Sequence, residues 1–160
     1  MNKLLPLTIA FATGCLAFFS PTASAADNLG AVLKETGWDA LIGTWVDPET
    51  KGENTKTTFA WKYEGELIES ITWQAKKETT TLFGRNLKTG KVFVASADDV
   101  GGCSTGEVTF EKGLATFNIS FAAHTGEAGD LVITYRLVDP DTLEVTFVMG
   151  QPFTIKLVRV

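Results

Sequence analysis

The sequence predicts an all-β fold, an antiparallel up-and-down β-barrel of about ten strands preceded by a short N-terminal helix. Three observations predict it. Beyond Gly43 the apolar residues recur with a period of two, the spacing of strands that bury one face. The alternating segments are separated by short connections rich in Gly, Pro and Asp, residues that reverse a chain within a few positions. Such connections join antiparallel neighbours only, because a parallel crossover needs about a dozen residues or more. An open meander of this length would expose two long edges, and closure removes them.

The first 25 residues carry the marks of an address. Lys3 is the only charge before an apolar run from Leu4 to Phe19, Pro21 breaks that run, and Ala23-Ser24-Ala25 is a small-residue cleavage signal. The run is shorter than the roughly 20 residues of a spanning helix. Residues 1–25 are therefore expected to be a signal peptide and 26–160 one exported domain, periplasmic or secreted. Ala12-Thr13-Gly14-Cys15 loosely matches a lipobox and provides the alternative of a lipid on Cys15. The remaining chain of about 135 residues suits a single core.

From Asp27 a short helix is expected. Asp27 or Asn28 caps it, Leu29, Val32 and Leu33 share a face, and Gly37 ends it, with one more turn from Trp38 to Ile42. Strands are expected at 43–47, 55–63, 67–75, 79–85, 91–97, 103–110, 114–122, 131–138, 143–149 and 153–160. The turns are Glu64-Gly65-Glu66, Leu87-Lys88-Thr89-Gly90, Glu111-Lys112-Gly113, Asp139-Pro140-Asp141-Thr142 and Gly150-Gln151-Pro152. Alternation gives an inner face of Phe59, Trp61 and Tyr63 on the second strand. Phe117, Ile119, Phe121; Leu131, Ile133, Tyr135, Leu137; Leu143, Val145, Phe147, Met149; and Phe153, Ile155, Leu157 follow on later strands. On the third strand Leu67, Ile71 and Trp73 share a face with Glu69. If that face lines the lumen, Glu69 is a buried carboxylate needing a partner or a proton; the plainer expectation is a carboxylate facing water at a barrel mouth.

Gly43-Thr44-Trp45 after a helical turn resembles the opening of lipocalin-like barrels of the calycin superfamily. The resemblance implies that Trp45 closes one end of the barrel beneath a basic side chain of the last strand. Arg159 occupies that position, and a contact between Arg159 and Trp45 is expected, a cation–π pair worth on the order of 1 kcal/mol. A closer resemblance covers most of the exported chain: Trp38 through Asp47, Thr57-Thr58-Phe59-Ala60-Trp61, Asp99-Val100-Gly101-Gly102 with Gly106-Glu107, Val138 through Leu143, and Val158-Arg159. These segments are similar to a bacterial family of exported lipocalin-like domains known by fold, so the resemblance implies architecture and no activity. Haem-binding nitrobindin barrels are a more distant comparison. Val46-Asp47-Pro48 replaces their Gly-rich continuation, and the final strands have no His.

Catalytic motifs are missing from the chain. There is no Gly-x-Ser-x-Gly elbow, phosphate loop, His-Glu-x-x-His or dinucleotide fingerprint, and no cofactor or metal is implied. His124, the single His, falls in the Ala123-His124-Thr125-Gly126 connection, where a solvent-facing role is expected. Cys103, alone once Cys15 is removed, has acidic sequence neighbours that do not activate a thiol. Asp98 and Asp99 with Glu107 lack the ligand spacing of a calcium loop and are expected to stabilise a turn. With 14 Lys+Arg against 19 Asp+Glu and a net charge of −5, the protein lacks the basic footprint of a nucleic-acid binder.

Three function classes follow. The first is a barrel binding a small apolar, lipid-like ligand in a lumen lined by Phe59, Trp61, Glu69, Trp73, Phe117, Tyr135 and Phe147. The second is a structural barrel with a side-chain-filled lumen that contacts an envelope partner. In the third, an isomerase- or cyclase-type enzyme would use Glu69 as its acid. The first is favoured because about ten strands leave more room than eight. Oligomeric state is not encoded in any motif.

Overall fold

The computed structural model describes residues 28–160. The expected leader, its Ala23-Ser24-Ala25 site, Cys15 and the alternative cap Asp27 lie outside them. The chain opens with helix α1 (Leu29–Thr36), capped by Asn28, whose side-chain oxygen accepts from the Ala31 amide at 2.9 Å. Gly37 stops it with a left-handed φ of 79°, which glycine adopts without Cβ strain. A single 3₁₀ turn follows at Trp38–Leu41.

Ten strands then run in sequence: β1 (Gly43–Val46), β2 (Thr55–Tyr63), β3 (Leu67–Gln74), β4 (Lys77–Arg85), β5 (Val92–Asp98), β6 (Cys103–Glu111), β7 (Leu114–Ala122), β8 (Ala128–Asp139), β9 (Thr142–Val148) and β10 (Phe153–Arg159). Each pairs antiparallel with its sequence neighbours, and β1 pairs with β10 to close the barrel, placing Trp45 opposite Arg159 and Val46 opposite Val158. Two strand boundaries differ from the sequence expectation by more than one residue, for definite reasons. β8 starts at Ala128 rather than Leu131, because the Ala123–Glu127 turn is tight enough for Ala128 to pair with Ala122. β4 starts at Lys77, because Ala75 and Lys76 alone make the turn, both with positive φ (51° and 69°).

The two ends of the barrel are different. α1 and the 3₁₀ turn cover the end holding the β2–β3, β4–β5, β6–β7 and β8–β9 turns. Gly30 donates its amide to Gly65 O (2.8 Å), and the Trp38 indole donates to Glu111 O (2.8 Å). Leu29, Leu33, Trp38 and Trp45 have no exposed surface there. Burying a large apolar side chain is worth roughly 1.5–3 kcal/mol, so this end forms the main core. Above it lies a layer of aromatic rings. Tyr135 packs on Phe117 at 4.5 Å between centroids and edge-on to Phe59 at 6.5 Å, while Phe83 lies 6.1 Å from both Phe59 and Phe117. At the opposite end no helix among the described residues covers the strands.

Candidate functional site

Above the aromatic layer, on the uncovered side, the barrel encloses a cavity of about 230 Å³. Its walls are two-sided. Strands β3 to β6 contribute hydroxyl and amide groups, from Ser70, Thr72, Gln74, Thr79, Thr81, Ser96 and Ser104, over Phe83 and Val94 at the base. Strands β7 to β9 contribute Phe117, Ile119, Phe121, Leu131, Ile133 and Phe147, with Tyr135 as their one polar member. No charged residue lines the cavity.

Some wall hydroxyls satisfy each other: Ser96 and Ser104 meet at 2.6 Å, and Thr72 meets Thr57 at 3.0 Å. The Tyr135 phenol makes no hydrogen bond to any described residue. Every fully enclosed side-chain N or O among the described residues has a partner, so the Tyr135 oxygen is one that the cavity reaches. Burial pushes its pKa up to about 12, because the protein around it cannot solvate a phenolate. At neutral pH it is a hydrogen-bond donor set in the apolar wall, facing the cavity.

At the rim, Lys77 forms an ion pair with Asp98. Asp98 also accepts from the Gly102 amide (2.6 Å) and the Val100 amide (3.2 Å). The Lys77 ammonium foremost, then those amides, hold its carboxyl below the usual range against the opposing effect of desolvation. On the other side of the mouth Phe153 stacks on Phe147, with centroids 4.8 Å apart and planes 11° apart, and Met149 is exposed beside them.

The candidate lumen residues divide into three groups. Phe117, Tyr135 and Phe147 line the cavity, Phe59 lies in the layer beneath it, and Trp61 packs half-buried against the core at the covered end. Glu69 and Trp73 are corrected: both lie on the outer face. Trp73 is 48% exposed, whereas Ile68 and Ser70 are 1% and 3% exposed. Glu69 accepts from Lys62 Nζ at 2.6 Å, and the attraction raises the lysine's pKa.

A β-bulge is the cause. Tyr63 pairs with Leu67 across the turn, which alone would set Glu69 opposite inward-facing Trp61. The register shifts between Trp61 and Tyr63, so Trp61 pairs with Ile68 instead. One residue of slip exchanges the two faces. Ser70, Thr72 and Gln74 turn inward, and Tyr63, expected inside, is 63% exposed. The isomerase-type reading thereby loses its acid from the lumen. The polar wall was missed because apolarity selects the Leu67, Ile71, Trp73 face. The signal that finds it is Lys62: a charge assigned outward on β2 places its cross-strand Glu outward too.

The remaining candidates are dispersed. His124 is exposed in the β7–β8 turn, and Cys103 is a free, exposed thiol. Glu107 points outward to Lys91 (2.7 Å), away from Asp98. No group of three or more His, Cys, Asp or Glu among the described residues is arranged to hold a metal. No described helix is long and apolar enough to cross a membrane.

Arg159 holds the covered end. Its guanidinium lies 4.4 Å from the centroid of the Trp45 ring and donates to Ile42 O (2.8 Å), Ala40 O and Pro140 O (3.1 Å). The Trp45 indole donates to Leu41 O at 2.8 Å. Gly43 lies directly beneath: its φ is 138°, and a Cβ there would fall 2.5 Å from Arg159 Nη1. Gly43, Trp45 and Arg159 thus form one structural unit remote from the cavity. No protein-family model matches the chain, and no curated protein matches it significantly.

Proposed function

We propose that this is an exported, lipocalin-like binding barrel whose uncovered half takes a compact small molecule with an apolar body. The observation that carries the reading is the cavity of about 230 Å³ above a closed aromatic floor. Pockets of this kind pair apolar walls with a few orienting polar groups. A dry cavity of about 150 Å³ accommodates a benzene-sized molecule, so this one suits one or two fused rings. Long acyl chains and sterols need more space than it encloses. The leader-like first 25 residues and the resemblance of the Gly43-Thr44-Trp45 opening to lipocalin-like domains support export and family.

The test is calorimetric titration with naphthalene of the wild type and of Thr81→Trp, which fills the cavity from its hydroxyl wall. Saturable one-to-one binding by the wild type, lost in a folded Thr81→Trp, is the expected result. Undiminished binding by the variant would place the site elsewhere, and no binding by the wild type would remove the reading.

A further inference from the structure

We infer that the lumen is selective for an aromatic molecule carrying a neutral oxygen, and that the ligand enters oxygen-first, with the Tyr135 hydroxyl as its anchor at the cavity base. This rests on the lumen being a binding site and adds the ligand's chemistry and orientation.

Polarity is distributed unusually along the cavity. Amphiphile sites commonly turn the polar group toward the water at the mouth. Here one side of the mouth is apolar, formed by Phe121, Leu131 and Phe147 with the stacked Phe153 outside them. The one polar residue of the apolar wall lies at its base: Tyr135, with a hydroxyl bonded to no described residue, is the deepest lining residue of β8, on the floor ring of Phe117. Ser70 and Thr81, opposite one another on β3 and β4, are the nearest hydroxyls of the facing polar wall. A donor at the base gains from an acceptor delivered to it, because an apolar occupant displaces water from the phenol and leaves it unpaired.

Charge is excluded at that depth. A carboxylate at the base would meet no lining cation, and the one nearby ammonium, Lys77, is at the rim and already paired with Asp98. Unpaired buried charge is far costlier than unpaired buried hydroxyl. A ring acid is therefore confined to the reversed orientation, its carboxylate at the mouth and its ring short of Tyr135. The facing walls explain the preference for a ring: flat aromatic and aliphatic surfaces on β7 to β9 pack one face, and hydroxyls on β3 to β6 cover the other.

Naphthalene, 2-naphthol and 2-naphthoate, which share one ring system, separate these terms. Each is titrated at neutral pH into the wild type and Tyr135→Phe, a change that keeps the ring on Phe117. 2-Naphthol is expected to bind about fivefold to tenfold more tightly than naphthalene to the wild type, the gain of one net hydrogen bond. That ratio should fall to near one in Tyr135→Phe. 2-Naphthoate should show no advantage over naphthalene and no response to the substitution. In the wild type, the Tyr135 Cζ resonance, assigned by its loss in Tyr135→Phe, should shift with 2-naphthol and stay in place with 2-naphthoate. Equal affinity for naphthol and naphthalene, or a ratio unchanged by Tyr135→Phe, overturns the anchor while leaving the binding barrel standing. Naphthoate binding that depends on Tyr135 overturns the exclusion of charge. Failure of all three probes defeats both proposals together.

Discussion

Arg159 holds three segments with one planar group: the 3₁₀ turn through Ala40 O, the start of β1 through Ile42 O, and the β8–β9 turn through Pro140 O. The face of the guanidinium covers Trp45 while its edges donate, a division that a lysine cannot make because its ammonium is a point charge. Arg159→Ala should lower unfolding stability by about 3 kcal/mol, combining a desolvated cation–π contact with charge-assisted hydrogen bonds. Arg159→Lys should recover less than half of that. Urea unfolding checks both, at unchanged slope; a loss under about 1 kcal/mol would show that the covered end is held by apolar packing alone. Trp45 and Arg159 were legible as partners through the resemblance of Gly43-Thr44-Trp45 to the opening of lipocalin-like barrels, which implies a basic side chain of the last strand over Trp45. The carbonyls beneath Arg159 were not, because Ala40, Ile42 and Pro140 lie in or beside turns whose paths depend on packing.

The strands were legible almost entirely, since alternation and turn residues are local signals, and their order follows from connections too short for any other pairing. Facing was legible where the register is locally unbroken, as it is around Phe117, Tyr135 and Phe147, with the shift between β8 and β9 falling beyond them, between Leu137 and Asp139. It failed on β3, where a single bulge decides which side of Glu69 and Trp73 meets water. Bulges have no strong composition here: Lys62, the extra residue, is an ordinary outward lysine. The Ala75-Lys76 turn is the second illegible element. Both residues are held at positive φ without being Gly or Asn, against the preference of the two-residue hairpin turn for Asn-Gly. Left-handed backbone costs most side chains about 1 kcal/mol or more. Ala75→Asn combined with Lys76→Gly should therefore stabilise the barrel by about 1 kcal/mol, measured by thermal or urea unfolding, with the ligand cavity unchanged. A destabilised double variant would mean that side-chain contacts of Ala75 or Lys76 outweigh the strain of their backbone.

Across the whole molecule, close packing and open space fall in opposite halves. The covered half is solid, from Leu29 and Trp38 up to the ring layer; the uncovered half keeps hydroxyls in place of core side chains and leaves space. A filled barrel and a barrel with an open lumen are thus two ends of one chain. Each half also carries a titratable group, which makes the division measurable by pH. At the rim, Lys77 and the amides of Gly102 and Val100 depress the Asp98 carboxyl, and Thr50 depresses Asp47, which clasps the β1–β2 loop by accepting from the Thr50 hydroxyl (2.6 Å) and the Thr55 amide (2.9 Å). A carboxyl depressed on folding stabilises above its unfolded pKa, and that contribution disappears as the pH falls through the folded value. The acid limb should therefore begin below about pH 4, and Asp98→Asn should lower the neutral plateau and flatten that limb. At the floor the sign is opposite. The Tyr135 pKa rises from 10.0 to about 12, so the folded state retains a proton that the unfolded chain releases. Its contribution is intact below pH 10 and declines through pH 12, by on the order of 2–3 kcal/mol for two units. Tyr135→Phe should remove that contribution to the alkaline decline and leave the acid limb untouched, while Asp98→Asn should flatten the acid limb and leave the Tyr135 contribution in place. Urea unfolding of both variants and the wild type from pH 3 to 12 separates the limbs, and an alkaline decline unchanged in Tyr135→Phe would mean that the phenol is solvated and the floor of the lumen is open to water.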